Sequence, residues 1–208
     1  MTERRFSEYA DRNGLAILEV LRHEFSTATS VLEIGSGTGQ HAVRIASAMG
    51  HLNWQCSDLD ENHESISAWL ALAKLANVLA PVSLDVRTAQ LPTSAYDAIF
   101  SANTAHIMSI ESVKRMFALV GETLTDGGIF CLYGPFQEAG ECSSPSNAAF
   151  HQSLRSRDPA MGIRDIEQLD EFGEYSNLRR RRLYAMPANN NIGVWIKDRQ
   201  KGSDNDHA

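Results

Sequence analysis

The chain has 208 residues, of which 43% are apolar and 22% charged, the composition of an ordinary globular domain with a buried core. Its formal net charge of −7 argues against a nucleic-acid backbone as the main partner, and no apolar run has the length that crosses a membrane. The three cysteines lack the spacing of a disulfide framework or a zinc site, so we expect no metal site and a reducing, cytoplasmic setting.

The first predicted helix covers residues 12–25, where apolar side chains recur close to one face at Leu15, Leu18, Leu21 and Phe25. Charged helical sequence begins almost at the N-terminus, so no signal peptide is expected. Because this helix precedes the first strand, we interpret residues 1–26 as a lid segment, with Tyr9, Arg12 and Asn13 facing a bound ligand. Simple surface placement is the alternative for these three side chains.

Three glycines at alternate positions, Gly35, Gly37 and Gly39, follow an apolar run at residues 30–34 and precede a helical pattern. The run predicts a buried parallel strand. Strand, glycine turn and helix are typical of a nucleotide-binding unit. Glycine lets the main chain turn sharply and lets a ligand lie against it, while the helix N-terminus offers unpaired N–H groups.

The details of this turn indicate which nucleotide binds. A dinucleotide fingerprint requires glycine at the position of Gln40. Glu33, near the strand end, would repel a pyrophosphate and suits a cation. The stretch 33–39 resembles the first motif of class I S-adenosylmethionine-dependent methyltransferases. The resemblance implies that Glu33, Ser36 and the three glycines hold the methionine end of this cofactor.

Residues 53–57 predict a second strand that leads into Asp58 and Leu59. An acidic residue at this point of a doubly wound sheet accepts hydrogen bonds from the ribose hydroxyls. We assign that role to Asp58 and include Leu59 in the cofactor site. Asp60 is the alternative for the ribose, or a cap for the next helix.

Residues 81–84 predict a third strand that ends at Asp85 and Val86. The methyltransferase resemblance implies that Asp85 and Val86 meet the adenine. The Asp85 carboxylate can accept a hydrogen bond from the adenine amino group. Arg87 offers the alternative of a salt bridge with Asp85.

The fourth predicted strand, residues 96–103, ends at Asn103 and is followed by His106. Ligands of open α/β sheets bind outside the carboxyl ends of the strands, and the resemblance implies that these residues reach the reacting methyl group. Asn103 is assigned to the cofactor. His106 has a suitable pKa for a general base, and Tyr133, at the end of the fifth strand, is the second choice. A structural, hydrogen-bonded role is the alternative for His106.

The runs 178–186 and 192–197 predict a terminal hairpin. With the resemblance, this gives an α/β fold: a Rossmann-like, doubly wound, seven-stranded mixed sheet of order 3-2-1-4-5-7-6 with strand 7 antiparallel. We expect one methyltransferase domain at residues 1–200 and a disordered tail at 201–208. The arginine run 179–182 is interpreted as a solvated sheet edge, with binding of an acidic partner as the alternative.

The second half of the chain carries short motifs that packing alone does not require. They are Tyr133-Gly134-Pro135-Phe136, Ser146-Asn147, Gly162-Ile163-Arg164-Asp165 and Met186-Pro187-Ala188-Asn189-Asn190. Together with Asp11-Arg12-Asn13, they resemble a small family of methyltransferase-like proteins of about this length, over nearly the whole chain. In that family an aspartate usually follows the phenylalanine matched by Phe150, where this chain has His151.

These motifs predict substrate contacts by Arg12, Asn13, Asn147, Arg164 and Asn190. The planar fork of an arginine clamps a carboxylate, and amides orient a polar group. An ion pair with Asp165 is the alternative for Arg164, and a purely turn-forming role is the alternative for Asn190.

The sequence thus predicts an enzyme that moves a methyl group from S-adenosylmethionine, or a modified methyl group from a modified form of it, to a small molecule or peptide. A non-catalytic cofactor-binding or partner-binding protein with this fold is the alternative. An NAD-dependent oxidoreductase comes third, because Gln40 disfavours it.

Overall fold

The computed structural model describes residues 4–89 and 95–199 of the chain. The strands are β1 (Ser30–Ile34), β2 (Asn53–Asp58), β3 (Val78–Ser83), β4 (Tyr96–Ala102), β5 (Leu124–Gly134), β6 (Phe136–Glu138), β7 (Glu141–Cys142), β8 (Arg164–Asp165), β9 (Leu178–Met186) and β10 (Asn190–Lys197). The helices are α1 (Glu8–Glu24), α2 (Gln40–Ala48), α3 (Asp60–Ala73), α4 (Ile110–Thr123), α5 (Pro145–Arg157) and α6 (Ile166–Glu174), and a short 3₁₀ turn covers Pro187–Asn189. None of the described helices is long and apolar enough to cross a membrane.

A seven-stranded mixed sheet has the order β3-β2-β1-β4-β5-β10-β9. The pairs among β1 to β5 are parallel, and β10 runs antiparallel to both β5 and β9. Parallel neighbours need long crossovers, whereas the short turn between β9 and β10 permits only an antiparallel pair. The predicted fold class and strand order are therefore confirmed, with β9 and β10 as the sixth and seventh strands.

Both faces of this sheet are buried at its centre, along β1 and β4. On β4, Ala98 and Phe100 belong to one core cluster and Ile99 to the other, as the two-residue period of a strand requires. The first cluster includes residues of α1 and α2, and the second includes residues of α4 and α6. Helices on both faces leave the strand ends as the open edge of the sheet, where ligands bind.

Several element boundaries differ from prediction. Helix α1 begins at Glu8, because Ser7 caps it by accepting a hydrogen bond from the Ala10 amide at 3.3 Å. Strand β3 lies at Val78–Ser83, earlier than the predicted 81–84. A small sheet of order β7-β6-β8 was not predicted. The predicted tail at 201–208 lies outside the described residues.

The arginine run lies on β9, which is an edge strand of the seven-stranded sheet, as predicted. Arg181 and Arg182 both pair with Glu24, whose carboxylate is buried at the end of α1. Arg180 pairs with Asp170 at 2.8 Å, and Arg179 lies 3.6 Å from Asp198. Each arginine thus has an acidic partner within the chain, so the run is not a free surface for an acidic partner. Arg179, Arg181 and Arg182 nevertheless remain exposed at the edge of the sheet, in agreement with a solvated edge. The run docks α1 and α6 onto the sheet.

Candidate functional site

The glycine turn follows β1 and leads into α2. Gly35, Gly37 and Gly39 have φ angles of 75°, 59° and 95°. A Cβ on Gly35 would lie 2.6 Å from Cγ2 of Thr104, so the turn packs directly against the loop after β4. A Cβ on Gly37 would meet nothing within 4 Å among the described residues. The main chain at Gly37 therefore borders open space that a ligand can enter.

Glu33 lies beneath this turn with its side chain buried. Its Oε2 accepts hydrogen bonds from Ser36 Oγ at 2.8 Å and from Trp54 Nε1 at 3.0 Å. Burial raises the pKa of Glu33 to about 7; the hydrogen bonds from Trp54 and Ser36 oppose the increase, and the charge of Asp58 adds to it. Because a nearby cation favours the ionised carboxylate, Glu33 suits a positively charged ligand.

Asp58 connects the end of β2 to the glycine turn. Its Oδ2 accepts from the Gly37 amide at 2.6 Å, and its Oδ1 accepts from the Leu59 amide at 2.7 Å. The Asp60 side chain, by contrast, is 82% exposed in the first turn of α3. Asp58 is therefore the better placed of the two for a ribose. Leu59, 38% exposed, offers an apolar surface next to it.

The candidate adenine residues have other partners in the structure. Arg87 donates two hydrogen bonds through Nε to the Asp85 carboxylate, at 2.9 and 3.0 Å. The Arg87 side chain lowers the pKa of Asp85, so the salt bridge considered as the alternative is present. Val86 packs in the second core cluster. An adenine at this position would share Asp85 with Arg87.

The chain before α1 lies across α2 and α3. The Ser7 amide donates to Gln40 Oε1 at 2.6 Å, and Gln40 Nε2 donates to the Ser7 carbonyl at 3.2 Å. Further along, the Arg5 amide donates to Ser65 Oγ at 3.2 Å, and Trp69 Nε1 donates to the Arg5 carbonyl at 2.9 Å. This segment therefore passes over the helices that flank the glycine turn.

A cavity of about 670 Å³ is built from five segments, among them the N-terminal segment that binds Gln40 and the loop that packs on Gly35. It is lined by Ser7, Tyr9, Arg12 and Asn13 near the N-terminus, by Asn103, His106 and Ile107 after β4, by Tyr133 and Pro135 near the end of β5, by Ser146, Asn147, Phe150, Leu154 and Arg157 of α5, and by Pro187, Ala188 and Asn190 between β9 and β10. The cavity thus brings together Arg12, Asn13, Asn103, His106, Tyr133, Asn147 and Asn190, all predicted site residues. The other predicted cofactor residues lie around the glycine turn and the strand ends.

Three asparagines of this cavity are already engaged by the main chain. Asn103 has a φ of 60°, and its main-chain N–H donates to the Tyr133 carbonyl at 2.9 Å. Asn147 Nδ2 donates to the Asn189 carbonyl at 2.9 Å, so it holds the turn between β9 and β10. Asn190 Nδ2 donates to the carbonyls of residues 187 and 188, at 3.2 Å each. Asn190 therefore forms the turn as well as lining the cavity.

His106 lies in the wall of the cavity with its ring edge-to-face against Phe150, the ring centroids 5.3 Å apart. Burial lowers the pKa of His106 to about 4, and the positive charges of Arg164 and Arg157 add to this decrease. Tyr133 has the opposite shift: burial raises its pKa, opposed by a hydrogen bond with Asn13. At neutral pH the cavity therefore presents an uncharged imidazole and a protonated phenol.

Arg164 does not line the cavity. It is buried, and its Nε donates to the Ala105 carbonyl at 3.0 Å, while Nη2 donates to the Ala160 carbonyl at 2.7 Å and to that of Met108. These bonds fix the loop that carries His106. The guanidinium is thus occupied by main-chain oxygens, which favours a structural role over the predicted clamp on a substrate carboxylate.

Of the residues of α5 that line the cavity, the sequence predicts only Asn147 as a site residue. Phe150, Leu154 and Arg157 line the cavity at i, i+4 and i+7, the spacing of one helical face. That spacing was available in the sequence. With only two apolar residues in it, however, the stripe does not stand out from an exposed helix.

The sequence profile of the family described as "Protein of unknown function (DUF938)" matches residues 4–197. The chain belongs to this family. The match covers nearly the whole chain, and so does the resemblance to a family of small methyltransferase-like proteins that the sequence motifs indicate.

Solved structures share the fold at low sequence identity. An O-methyltransferase family 2 protein from Planctomyces limnophilus in complex with apigenin superposes with a TM-score of 0.80 at 14% identity, over 91% of this chain and 58% of that one. The S-adenosylmethionine-dependent methyltransferase SibL gives 0.76 at 18% identity, over 92% and 56%. PigF with S-adenosylhomocysteine gives 0.78 at 17% identity, over 91% and 56%. The chain thus has the class I methyltransferase fold and spans a little over half the length of these proteins.

Proposed function

We propose that this chain is an S-adenosylmethionine-dependent methyltransferase that acts on a small molecule. One observation carries the proposal: a cavity that contains Asn103, His106 and Tyr133 is connected to a glycine turn with a buried carboxylate beneath it. The two are linked through neighbouring residues: Thr104, which follows the cavity-lining Asn103, packs on Gly35, and the cavity-lining Ser7 binds Gln40, the residue after the turn. A volume of about 670 Å³ suits a small molecule.

The residues around the turn fit the cofactor. Glu33 is a buried carboxylate whose pKa of about 7 a cationic ligand would lower, and the methionine end of the cofactor carries an ammonium and a sulfonium. The open space at Gly37 admits that end to the main chain. Asp58 Oδ1 accepts from the Leu59 amide and from Asn62 Nδ2, whereas Oδ2 accepts, among the described residues, only from the Gly37 amide and keeps one lone pair that a ribose hydroxyl can use.

The chemistry asks for positioning more than for reactive side chains. When bound, the cofactor would supply a methyl group to the acceptor's lone pair; the electron pair of the carbon–sulfur bond would return to sulfur, and the acceptor's proton would leave to solvent. The cavity walls hold the acceptor in line and exclude water, which can lower the barrier by roughly 7–11 kcal/mol. His106 is neutral and accepts a hydrogen bond from the acceptor, and Tyr133 donates one. A modified methyl group would use the same arrangement.

Calorimetry with S-adenosylhomocysteine, S-adenosylmethionine and NAD tests the cofactor. We expect the first two to bind and Asp58→Ala to weaken their binding at least tenfold. The matched control is Asp60→Ala, whose side chain is exposed and two residues away, and it should bind like the wild type. Binding of NAD without the sulfur compounds would overturn the proposal in favour of an oxidoreductase.

Catalysis is tested separately. The protein is incubated with a small-molecule cell extract and S-adenosylmethionine that carries a deuterated methyl group, and products are sought by mass spectrometry. We expect a labelled product that His106→Ala and Tyr133→Phe diminish. Cofactor binding without any labelled product would support the non-catalytic alternative.

A further inference from the structure

The cavity is cationic in a protein whose formal net charge is −7. Arg12 and Arg157 are the charged side chains that line it, and among the described residues no aspartate or glutamate does. His106 remains uncharged at neutral pH. A cleft lined by charges of one sign concentrates ligands of the opposite sign, so this cavity selects for anions.

Arg157 is the stronger candidate anchor of the two arginines. Arg12 shares its charge with Glu8, 3.4 Å away, and lies over the ring of Tyr9. Arg157 forms no ion pair with any described residue, and its hydrogen-bonding contact is with the weakly accepting sulfur of Met161 at 3.8 Å. Its charge also lowers the pKa of His106, so it acts on another side chain of the cavity wall.

Helix α5 presents an ordered series of side chains to the cavity. Along one face stand the amide of Asn147, the apolar side chains of Phe150 and Leu154, and the guanidinium of Arg157. At a rise of 1.5 Å per residue, Phe150 and Arg157 are separated by about 10 Å along the helix axis. A ligand that follows this face has an apolar body and an anionic end.

We propose that the methyl acceptor is a small carboxylic acid with an aromatic or apolar body. Its carboxylate pairs with Arg157, whose planar fork matches two carboxylate oxygens, and its body lies along Phe150 and Leu154. This inference rests on the proposed function, since that function makes the cavity the acceptor site. Cationic and neutral acceptors are disfavoured because they would leave Arg157 unpaired.

The test uses matched probes: 4-hydroxybenzoate, 4-hydroxyphenylacetate and 4-hydroxycinnamate, each beside its primary amide. Calorimetry is performed with and without saturating S-adenosylhomocysteine. We expect at least one acid to bind at least tenfold tighter than its amide. Arg157→Gln should reduce that preference to less than threefold. Arg155→Gln removes the same charge from an exposed position of α5 outside the cavity and should leave the preference intact.

The possible failures are distinguishable. If S-adenosylhomocysteine does not bind, the proposed function fails, while the acid and amide comparison still decides the character of the cavity. If S-adenosylhomocysteine binds but amides bind as well as acids, or no acid of the panel binds, the carboxylic-acid assignment fails alone. It also fails if Arg157→Gln keeps the wild-type preference.

Discussion

The side-chain amide of Gln40 binds both main-chain polar groups of Ser7: Oε1 accepts from the Ser7 amide at 2.6 Å, and Nε2 donates to the Ser7 carbonyl at 3.2 Å. Gln40 is the first residue of α2, directly after the glycine turn, and Ser7 caps α1 and lines the cavity. In the sequence, Gln40 serves only to exclude a dinucleotide fingerprint. In the structure, it joins the predicted lid segment to the helix that follows the glycine turn.

Gln40→Ala should release this segment. The two part-buried hydrogen bonds with Ser7 are lost, each worth about 1 kcal/mol, as is the one that Gln40 Oε1 accepts from Thr38 Oγ1, so we expect a stability decrease of at least about 2 kcal/mol. Amides of residues 5–10 should exchange with deuterium markedly faster, and S-adenosylhomocysteine should bind several-fold more weakly. Hydrogen exchange with mass spectrometry measures the first effect and calorimetry the second. Gln152→Ala, at an exposed site of α5, is the control; equal exchange in both variants would show that Gln40 does not hold the segment.

Glu33 should make cofactor binding depend on pH. Its pKa of about 7 in the folded protein means that a bound cation displaces a proton near neutrality. If only the ionised form binds well, affinity for S-adenosylhomocysteine should fall about tenfold between pH 8 and pH 6. Calorimetry in buffers with different ionisation enthalpies should detect proton release at pH 7. Glu33→Gln should bind more weakly and without this dependence.

The same shift has a consequence for folding. The pKa of Glu33 rises from 4.5 to about 7, so between these values the folded state binds more protons than the unfolded state. The contribution of Glu33 to stability is therefore present below about pH 4.5 and is lost as the pH rises to about 7. Glu33→Gln should remove this part of the pH dependence in denaturant titrations, whereas Glu64→Gln, on the exposed side of α3, should keep it. An unchanged profile in Glu33→Gln would contradict the assignment.

The part of the fold that the sequence predicts well is local. The strand, glycine turn and helix from Ser30 to Ala48 are adjacent in sequence, and each has a distinct pattern: an apolar run, alternate glycines and a helical period. Asp58 was also predictable because strand ends meet at one edge of a parallel sheet. The hydrogen bond from Gly37 to Asp58 joins two such ends.

The unpredicted parts depend on contacts between distant segments. Strands β6 and β8 have only two or three residues each, and Phe136 pairs with Arg164 through neither a turn nor an apolar repeat. Glu24 meets Arg181 from the opposite end of the chain. The role of Arg164 likewise depends on carbonyls of other loops, because a side chain that binds main-chain oxygens leaves no partner pattern in the sequence.

Arg164 should therefore be a stability residue that positions the His106 loop. Arg164→Ala removes donors from the carbonyls of Ala105, Met108 and Ala160 within a buried site, and we expect a loss of about 3 kcal/mol in urea unfolding. Arg164→Lys should recover part of it, since an ammonium reaches fewer of these oxygens. Arg155→Ala, exposed on α5, should cost less than about 0.5 kcal/mol. If Arg164→Ala is as stable as the wild type in urea, these three hydrogen bonds contribute nothing to stability.

NMR can follow the protonation of the His106 imidazole directly. Burial and the charges of Arg164 and Arg157 lower its pKa to about 4, so its imidazole should stay neutral from pH 5 to pH 8. Arg157→Gln removes one of these charges and should raise the pKa of His106. A bound carboxylate next to Arg157 should also raise the pKa of His106. In the Arg157→Gln variant, 4-hydroxybenzoate should therefore cause no further increase in this pKa.

The control for this titration is Arg155→Gln, because Arg155 acts on a different histidine. Burial lowers the pKa of His151, and Arg155 adds to that decrease, so the variant should raise the pKa of His151 and leave His106 unchanged. If His106 instead titrates near 6.5 in the wild type, its ring is solvated and ionises like a free imidazole. It would then gain a proton between pH 8 and pH 5, and the expectation that this imidazole stays neutral over that range would be wrong.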